Sequence, residues 1–209
     1  MALLALTATE LLDRFASPDP TPGGGSAAAL AGATAAALVT MVCGMTKTRT
    51  GDPGERTRLD EALAQATEAG RRLRALVDED AAAYDAVVAA YRLPKATDEE
   101  KAARKREVDA AVSVATEVPL RTAEECLAVL TVAQAAGEDG NPNALSDART
   151  AAALAWAGLK GAAENVRINL GSAGASAARE KIEALEREAG DRLAALGLAP
   201  AGPGSAGGR

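Results

Sequence analysis

The residues best suited to acid–base chemistry lie in the stretch Asp78-Glu-Asp-Ala-Ala-Ala-Tyr-Asp85. When this helical segment is projected at about 100° per residue, Asp80 falls on an apolar stripe, while Asp78, Glu79 and Asp85 point to its flanks or away. The stripe consists of Leu59, Ala66, Leu73, Val77, Tyr84, Val88 and Tyr91. A carboxylate on such a stripe is costly unless it is paired, hydrogen-bonded or needed at a cleft. Asp80 is therefore either a structural aspartate, paired with an arginine or capping a turn, or a proton-transfer group whose pKa is raised by desolvation.

The absence of histidine limits the chemistry that this chain can perform. It excludes Ser-His-Asp and Cys-His nucleophiles and the usual zinc sites. Acid–base work must then use carboxylates, lysine, tyrosine or a perturbed backbone environment. Cys43 and Cys126 both lie in apolar helical patterns, so we expect two reduced, buried thiols rather than a disulfide.

A glycine-rich turn, Pro20-Thr-Pro-Gly-Gly-Gly-Ser-Ala-Ala-Ala, joins directly to a segment of small residues. Gly23, Gly24 and Gly25 allow a ligand to approach the backbone closely, and Ser26 is positioned to cap the following helix. Free N–H groups at a helix start carry partial positive charge. The turn is therefore either a stiff loop with an N-cap or a cradle for a carboxylate or another electron-rich group. It is not a phosphate loop, since no Lys-Ser/Thr pair closes it and no strand precedes it.

Two groups of asparagines are further candidates for a binding site. In the loop Gly137–Ala144, Asn141 and Asn143 suit tight turns, and Asp147 lies near a predicted helix start where it suits a cap. Asn165 and Asn169 are one turn apart on a helix face that also carries glycines, so they either read the edge of a heterocycle or satisfy each other.

Basic residues gather near the ends of predicted loops, where they either form a solvated face or hold a polyanionic substrate tail. They are Lys47, Arg49, Lys95, Lys101, Arg104, Lys105 and Arg106.

The elements that must position these residues are all predicted to be helices. Alanine and leucine are abundant and only four residues are aromatic, which favours helices over sheets. Capping boxes at Thr7–Glu10 and Thr97–Glu100 mark two helix starts, and Pro119 is expected to kink a long helix. Helices are predicted to end near 46, 92, 136, 170 and 197. We predict an all-α up-and-down bundle with long, partly kinked helices, one domain over 1–198, and a disordered tail over 199–209.

Charge and hydropathy restrict the partners and the location of the protein. A net charge of −6 argues against a general nucleic-acid surface. The uncharged segment between Pro20 and Thr46 is long enough to cross a bilayer, but its alanine, glycine and threonine content favours the central helix of a soluble bundle. No basic segment precedes an apolar run near Met1, so we expect a cytoplasmic protein.

Six motifs in this order make the chain, from about Thr7 to Leu196, resemble the formimidoyltetrahydrofolate cyclodeaminase / methenyltetrahydrofolate cyclohydrolase family. They are the glycine turn, the Asp78–Asp85 stretch, Leu93-Pro-Lys with its charged helix start, Val118-Pro-Leu, Gly140-Asn-Pro-Asn with Ser146-Asp147, and Asn165-Val-Arg-Ile-Asn-Leu170. The resemblance implies a dimeric all-helical bundle, a tetrahydrofolate derivative as substrate, no metal and no permanently bound cofactor. It implies that Asp80 is the essential acidic residue, and Tyr84 stands where the family often has phenylalanine.

The implied reaction converts 5-formimidoyltetrahydrofolate to 5,10-methenyltetrahydrofolate with release of ammonia. In this hypothesis the Gly23–Ser26 turn and the Asn141–Asp147 loop position the pterin and benzoyl groups, and Lys95 meets the glutamate tail. Two alternatives stay open. One is the cyclohydrolase reaction, in which water converts the methenyl compound to 10-formyltetrahydrofolate, and the other is a helical interaction module without catalysis.

Overall fold

The computed structural model describes residues 2–170 and 176–198, and these residues form six α-helices and two short 3-10 turns without a β-strand. The helices are α1 (Ala8–Ala16), α2 (Gly24–Cys43), α3 (Pro53–Tyr91), α4 (Asp98–Asp139), α5 (Leu145–Leu170) and α6 (Ser176–Ala195). The prediction of an all-α bundle is confirmed. The predicted tail over 199–209 lies outside the described residues.

Helix α2 is the centre of the bundle because its small side chains let three other helices approach its backbone. It packs against α3, α4 and α5, and Ala29, Ala35 and Val39 are fully buried. Among the described residues, α2 is also the one helix long and apolar enough to cross a membrane. Its packing on three neighbours is the position predicted for the central helix of a bundle.

The approach between α2 and α5 is close enough to require glycine. A methyl group added at Gly158 would lie 2.7 Å from the Ala28 carbonyl oxygen and 2.8 Å from Cys126 Sγ. Gly32, on α2, faces the same thiol, and a Cβ there would lie 2.6 Å from it. Cys126 is thus enclosed between α2 and α5, and burial raises the pKa of its thiol to about 12.

The helix starts agree with the predicted caps in two cases and differ in two others. Thr7 and Thr97 both form capping boxes. The prediction that Ser26 caps α2 is wrong, because the helix begins two residues earlier and Gly23 is its N-cap. Asp147 is not a cap either, because α5 already begins at Leu145 as the continuation of a 3-10 turn, and Asp147 lies in its first turn.

Helices α3 and α4 extend beyond the start of α2 and form a projecting hairpin. Gly25, at the start of α2, lies against Asp80. The last eleven residues of α3 therefore extend past the N-terminus of α2. Pro119 lies within α4, which continues on both sides of it. The apolar stripe of α3 is accordingly buried at Leu73 and Val77 but half exposed at Tyr84 and Tyr91. The expectation of one continuous core-facing stripe fails here because α2 does not reach the hairpin.

At the opposite end of the bundle, two arginines donate hydrogen bonds to carbonyl oxygens at the C-termini of helices. Arg49 donates to the carbonyl oxygens of Gly137 and Glu138 at the end of α4. Arg56 donates to the Cys43 carbonyl oxygen at 2.6 Å and to that of Met45 at 2.8 Å, at the end of α2. Arg49, one of the basic residues considered for a substrate tail, is therefore a structural contact at this end.

The close packing of α2 on α5 predicts a strong effect of one methyl group. Gly158→Ala should lower the free energy of unfolding by about 1–3 kcal/mol, because the added carbon overlaps the Ala28 backbone and Cys126. Gly190→Ala is the matched control within helix α6, since a Cβ there meets no atom within 4 Å. It should raise stability by about 0.5–1 kcal/mol through helix propensity. Equal shifts of the two variants in urea denaturation would contradict this account of the packing.

Candidate active site

A cleft of about 380 Å³ opens where α2 begins, between α3, α4 and the end of α5. Its wall combines the glycine turn with one side each of α3 and α5. Among the described residues that line it, Asp80 is the one charged side chain. The lining residues are Pro20, Thr21, Gly23, Gly24, Gly25, Asp80, Ala83, Tyr84, Val87, Tyr91, Val112, Ala115, Asn165, Ile168 and Asn169.

The carboxylate of Asp80 lies directly against the first turn of α2. Ser26 Oγ, which is fully buried, donates to Asp80 Oδ2 at 3.0 Å. A Cβ at Gly25 would lie only 2.0 Å from Asp80 Oδ1, so no residue with a side chain fits there while Asp80 keeps this position. The glycine turn thus binds a carboxylate, as one of the two alternatives predicted, but this carboxylate belongs to Asp80 of the protein itself. This arrangement uses the partial positive charge of the helix N-terminus to stabilise an anion inside the protein.

Two opposing effects act on the pKa of Asp80. Burial raises the pKa above its ordinary value, because the charged form loses solvation, and hydrogen bonds from the Ser26 side chain and backbone counteract the rise. Burial is the larger effect, so the pKa of Asp80 is raised. A carboxyl group with a raised pKa in a cleft can accept and return a proton more readily than an exposed aspartate.

The neighbouring acids are engaged elsewhere, as the helical projection predicted. Asp78 accepts a hydrogen bond from the Leu3 backbone N–H at 2.7 Å. Glu79 forms an ion pair with Arg121 at 2.9 Å. Asp85 lies on the outside of α3 and accepts from Thr21 Oγ1 at 3.4 Å. Asp80 is distinguished from the acids beside it because it faces the cleft without a basic partner among the described residues.

Asn165 and Asn169, near the end of α5, line the same cleft as Asp80. Asn165 Nδ2 donates to the Gly161 carbonyl oxygen at 2.9 Å, and Asn169 Nδ2 donates to that of Ala115 at 2.6 Å. The two side chains therefore do not satisfy each other, which was one of the two alternatives. One N–H of each amide is thus fixed on backbone, while the second N–H and the amide oxygen can still bind a ligand. Tyr84, 44% exposed, lies at the mouth of the cleft.

The structure does not bring the remaining predicted site residues to this cleft. Asn141 contacts Met45, beyond the C-terminal end of α2, and α2, with 20 residues, is about 30 Å long. Its side chain caps the 3-10 turn by accepting from Asn143 N–H. Asn143 and Asp147 belong to the same far end. Within one chain, these three residues cannot touch a ligand bound beside Asp80. Lys95 is exposed in the loop between α3 and α4 and does not line the cleft.

Sequence reasoning missed most of the apolar wall, which is formed by Ala83, Val87, Tyr91, Val112, Ala115 and Ile168. Tyr91 was assigned to the stripe of α3 but not to the site, although it lies two turns beyond Tyr84 on the same face. Val112 carries no signal of its own, because a valine in a mixed helix is indistinguishable from a core residue.

The fold and the site together define the class of protein. It is a helical bundle whose central helix consists of small residues and begins against the one carboxylate that lines a cleft. The same fold occurs in the formiminotetrahydrofolate cyclodeaminase of Thermotoga maritima, with a TM-score of 0.81, 25% sequence identity, and coverage of 94% of this chain and 97% of that one. The formiminotransferase-cyclodeaminase family model matches residues 7–188. The chain therefore belongs to this cyclodeaminase/cyclohydrolase family, as the six motifs predicted.

Two relatives show how the chain compares with named members. It is 42% identical over 181 residues to the methenyltetrahydrofolate cyclohydrolase of Methylorubrum extorquens, covering 86% of this chain and 87% of that protein. It is 37% identical over 149 residues to the formimidoyltransferase-cyclodeaminase of Rattus norvegicus, covering 71% of this chain and 28% of the rat protein. The match to the rat protein thus spans less than a third of that relative's length. Both named relatives are enzymes, so the comparisons give no support to a module without catalysis.

The contact between Ser26 and Asp80 leads to a prediction on ionisation. Ser26→Ala removes a donor that stabilises the carboxylate, so the pKa of Asp80 should rise further. Carboxyl-carbon NMR titration of the folded protein measures this shift. The side-chain carboxyl signal of Asp78, which accepts a hydrogen bond from the Leu3 N–H and not from Ser26, is the internal control. An unchanged or lowered pKa of Asp80 in this variant would show that the hydroxyl does not stabilise the anion.

Proposed function

We propose that this protein hydrolyses 5,10-methenyltetrahydrofolate to 10-formyltetrahydrofolate, with Asp80 as the group that moves the proton. The observation that supports this choice within the family is the similarity to the Methylorubrum extorquens cyclohydrolase along most of both chains. The structural feature that supports the role of Asp80 is its position as the one charged side chain lining the cleft in the described part of the chain.

The charge of the substrate suits this carboxylate. In a methenyltetrahydrofolate the carbon between N5 and N10 belongs to an amidinium, so the positive charge is spread over both nitrogens. A partly desolvated carboxylate attracts such a cation more strongly than an exposed one does. Because no basic side chain among the described residues lines the cleft, nothing there competes for Asp80 or repels the cation.

Hydrolysis then needs one water molecule and one proton relay. Asp80 accepts a proton from water as the water oxygen bonds to the methenyl carbon, which becomes tetrahedral. The bond from this carbon to N5 breaks, N5 receives a proton, the hydroxyl becomes the formyl C=O, and one proton is released overall. Ser26 keeps the carboxylate oriented for both transfers by its hydrogen bond to Oδ2. Proton transfer by a positioned side chain contributes typically about 10²–10⁴-fold to the rate.

The ammonia-releasing cyclodeaminase reaction is the second candidate, supported by the fold match to the Thermotoga maritima enzyme and by the rat relative. In that reaction N10 attacks the formimidoyl carbon, and the same tetrahedral centre forms with an amine in place of the hydroxyl. Asp80 would take the proton of N10 and return it to the departing amine. Holding N10 beside the carbon makes the step unimolecular, which can lower the barrier by several kcal/mol.

The other lining residues suit the parts of a folate. The glycines at 23–25 leave backbone exposed to a flat ring, and Tyr84 at the mouth can stack on an aromatic group. The amide oxygens of Asn165 and Asn169 can accept from the amino and ring N–H groups of a pterin, since the bonds of these amides to backbone use only one N–H of each. We assign these residues to substrate positioning and Asp80 to proton transfer.

Supplying each folate to the purified protein distinguishes the two reactions. Methenyl absorbance should fall when the protein is given 5,10-methenyltetrahydrofolate, and 10-formyltetrahydrofolate should accumulate. If absorbance instead rises with 5-formimidoyltetrahydrofolate while the methenyl compound persists, the cyclodeaminase is the correct assignment. Turnover of neither compound would refute the proposed function as a whole.

Asp80→Asn should fold normally and lose most turnover, with kcat reduced by about 10²–10⁴-fold. Asparagine has nearly the same shape, can still accept from Ser26, and removes the cost of a buried charge, so Tm should be unchanged or raised. Glu79→Gln is the matched control, because Glu79 is the adjacent carboxylate but faces Arg121. A fully active Asp80→Asn enzyme, or equal losses in both variants, would exclude this role.

We further propose that the protein functions as a homodimer through the outer face of the projecting hairpin. This face carries a shallow apolar groove between α3 and α4, lined by Ala86, Ala89, Ala90, Leu93, Glu107, Ala110, Ala111 and Val114. Val114 is 55% exposed, and a long small-residue groove suits the ridge of an identical helix pair. Light scattering should give twice the 21.0 kDa mass of the chain, and Val114→Glu should give the monomer mass. A single-chain mass for the unmodified protein would exclude the dimer.

A further inference from the structure

The guanidinium of Arg104 is held by Tyr91, which is the residue of the cleft wall that lies farthest along α3 from Asp80. Its Nε and Nη2 atoms donate to the Tyr91 carbonyl oxygen at 3.2 and 3.1 Å, at the last residue of α3. Its central carbon also lies 5.2 Å from the centre of the Tyr91 ring. An arginine held by both a carbonyl oxygen and a ring face keeps one orientation at low entropic cost when a ligand arrives.

Arg104 has no acidic partner in the described ranges, unlike Lys101 and Lys105 beside it on α4. Arg106 forms no ion pair there either, but it has no hydrogen bond like those that hold Arg104 on Tyr91. Lys101 pairs with Asp98 at 2.8 Å, and Lys105 pairs with Asp109. In the described ranges, Arg104 takes part in no ion pair, and the two bonds to Tyr91 leave further N–H donors unused. The positive charge of Arg104 is thus held in a defined position, and no acidic side chain in the described ranges neutralises it.

The position of this charge relative to Asp80 matches an elongated ligand with an anionic end. Tyr91 lies three helical turns beyond Asp80 on α3, which is about 16 Å along the axis. Between these two ends the cleft wall is uncharged and partly apolar, with Tyr84, Val87 and Val112. A neighbouring groove that shares Tyr91 with the cleft carries Asp109 and Glu117, so it is less suited to an anion.

We propose that Arg104 is the residue that binds the glutamate carboxylates of the substrate tail, an inference that rests on the proposed function. With the one-carbon unit at Asp80, the benzoyl ring lies along the apolar wall, and the glutamate leaves past Tyr91 beside the guanidinium. Arg104 thereby takes the role that sequence reasoning gave to Lys95, because Arg104 is held on Tyr91, a residue of the cleft wall, whereas Lys95 is exposed in the loop between α3 and α4. Recognition of a carboxylate by the fork of an arginine is directional as well as electrostatic.

The test compares two substrates that differ only in the tail, 5,10-methenyltetrahydrofolate and 5,10-methenyltetrahydropteroate, which lacks glutamate. Arg104→Gln keeps a donor for the Tyr91 carbonyl oxygen and removes the charge. It should raise KM for the glutamate-bearing substrate roughly tenfold, the effect of losing a hydrogen bond to a charged group. Its kcat, and its KM for the pteroate compound, should stay at the values of the unmodified enzyme. Arg104→Lys should restore part of the affinity.

Lys105→Ala is the matched control, because it removes the same charge one position along α4 at a residue that pairs with Asp109. Its KM should be unchanged for both substrates. An equal rise of KM for both substrates in Arg104→Gln would assign Arg104 to holding the end of α3 and overturn the inference, as would no rise for either. Failure of the unmodified protein to turn over any folate would instead refute the proposed function itself.

Discussion

The contact between the N-terminus of α2 and the carboxylate of Asp80 is the constraint on which the rest of the structure depends. It requires a helix start without side chains, because any Cβ at Gly25 would overlap Asp80 Oδ1. It also requires α2 to lie deep between α3 and α5, which only small residues on α2 and glycines such as Gly158 permit. The alanine-rich composition of α2 is therefore a condition for the geometry of the cleft. A bulkier α2 would move its N-terminus away from Asp80 and leave that carboxylate without its stabilising hydrogen bonds.

This contact also favours the charged form of Asp80 at a place where burial opposes the charge. The helix N-terminus and Ser26 favour the anion, and loss of solvation disfavours it. The pKa of Asp80 is therefore raised, but by less than burial alone would raise it. A group balanced in this way can hold a proton briefly and return it, which neither a salt-bridged nor a fully exposed aspartate does well. Glu79, paired with Arg121, illustrates the salt-bridged case one residue away. The protein gives up some stability at Asp80, which is typical of a functional group.

The sequence predicted the helices, the capping boxes at Thr7 and Thr97, and the isolation of Asp80, because each of these follows from local periodicity or spacing. It could not show which loops meet in space. In an up-and-down bundle the end of α5 returns to the end where α2 starts, while the loop between α4 and α5 lies at the opposite end. Asn165 therefore reaches the cleft and Asn141 does not, although both belong to motifs of the family resemblance. Counting helix directions along the chain would have separated these two residues, whereas the pairing of Arg104 with Tyr91 depends on side-chain geometry that no pattern encodes.

A cleft with one charged side chain is compatible with either of the two reactions for which relatives of this chain are named. Water addition and ammonia release both pass through a tetrahedral carbon held between N5 and N10, and they differ in whether oxygen or nitrogen is the third heteroatom. Each needs one proton taken up and one returned on the same face of the ring. A second carboxylate or a basic side chain would favour one leaving group over the other, and Asp80 has no such neighbour among the described residues that line the cleft. The choice between the reactions then depends on which folate is bound and on whether water can reach the carbon, so small changes in the apolar wall are sufficient to alter it.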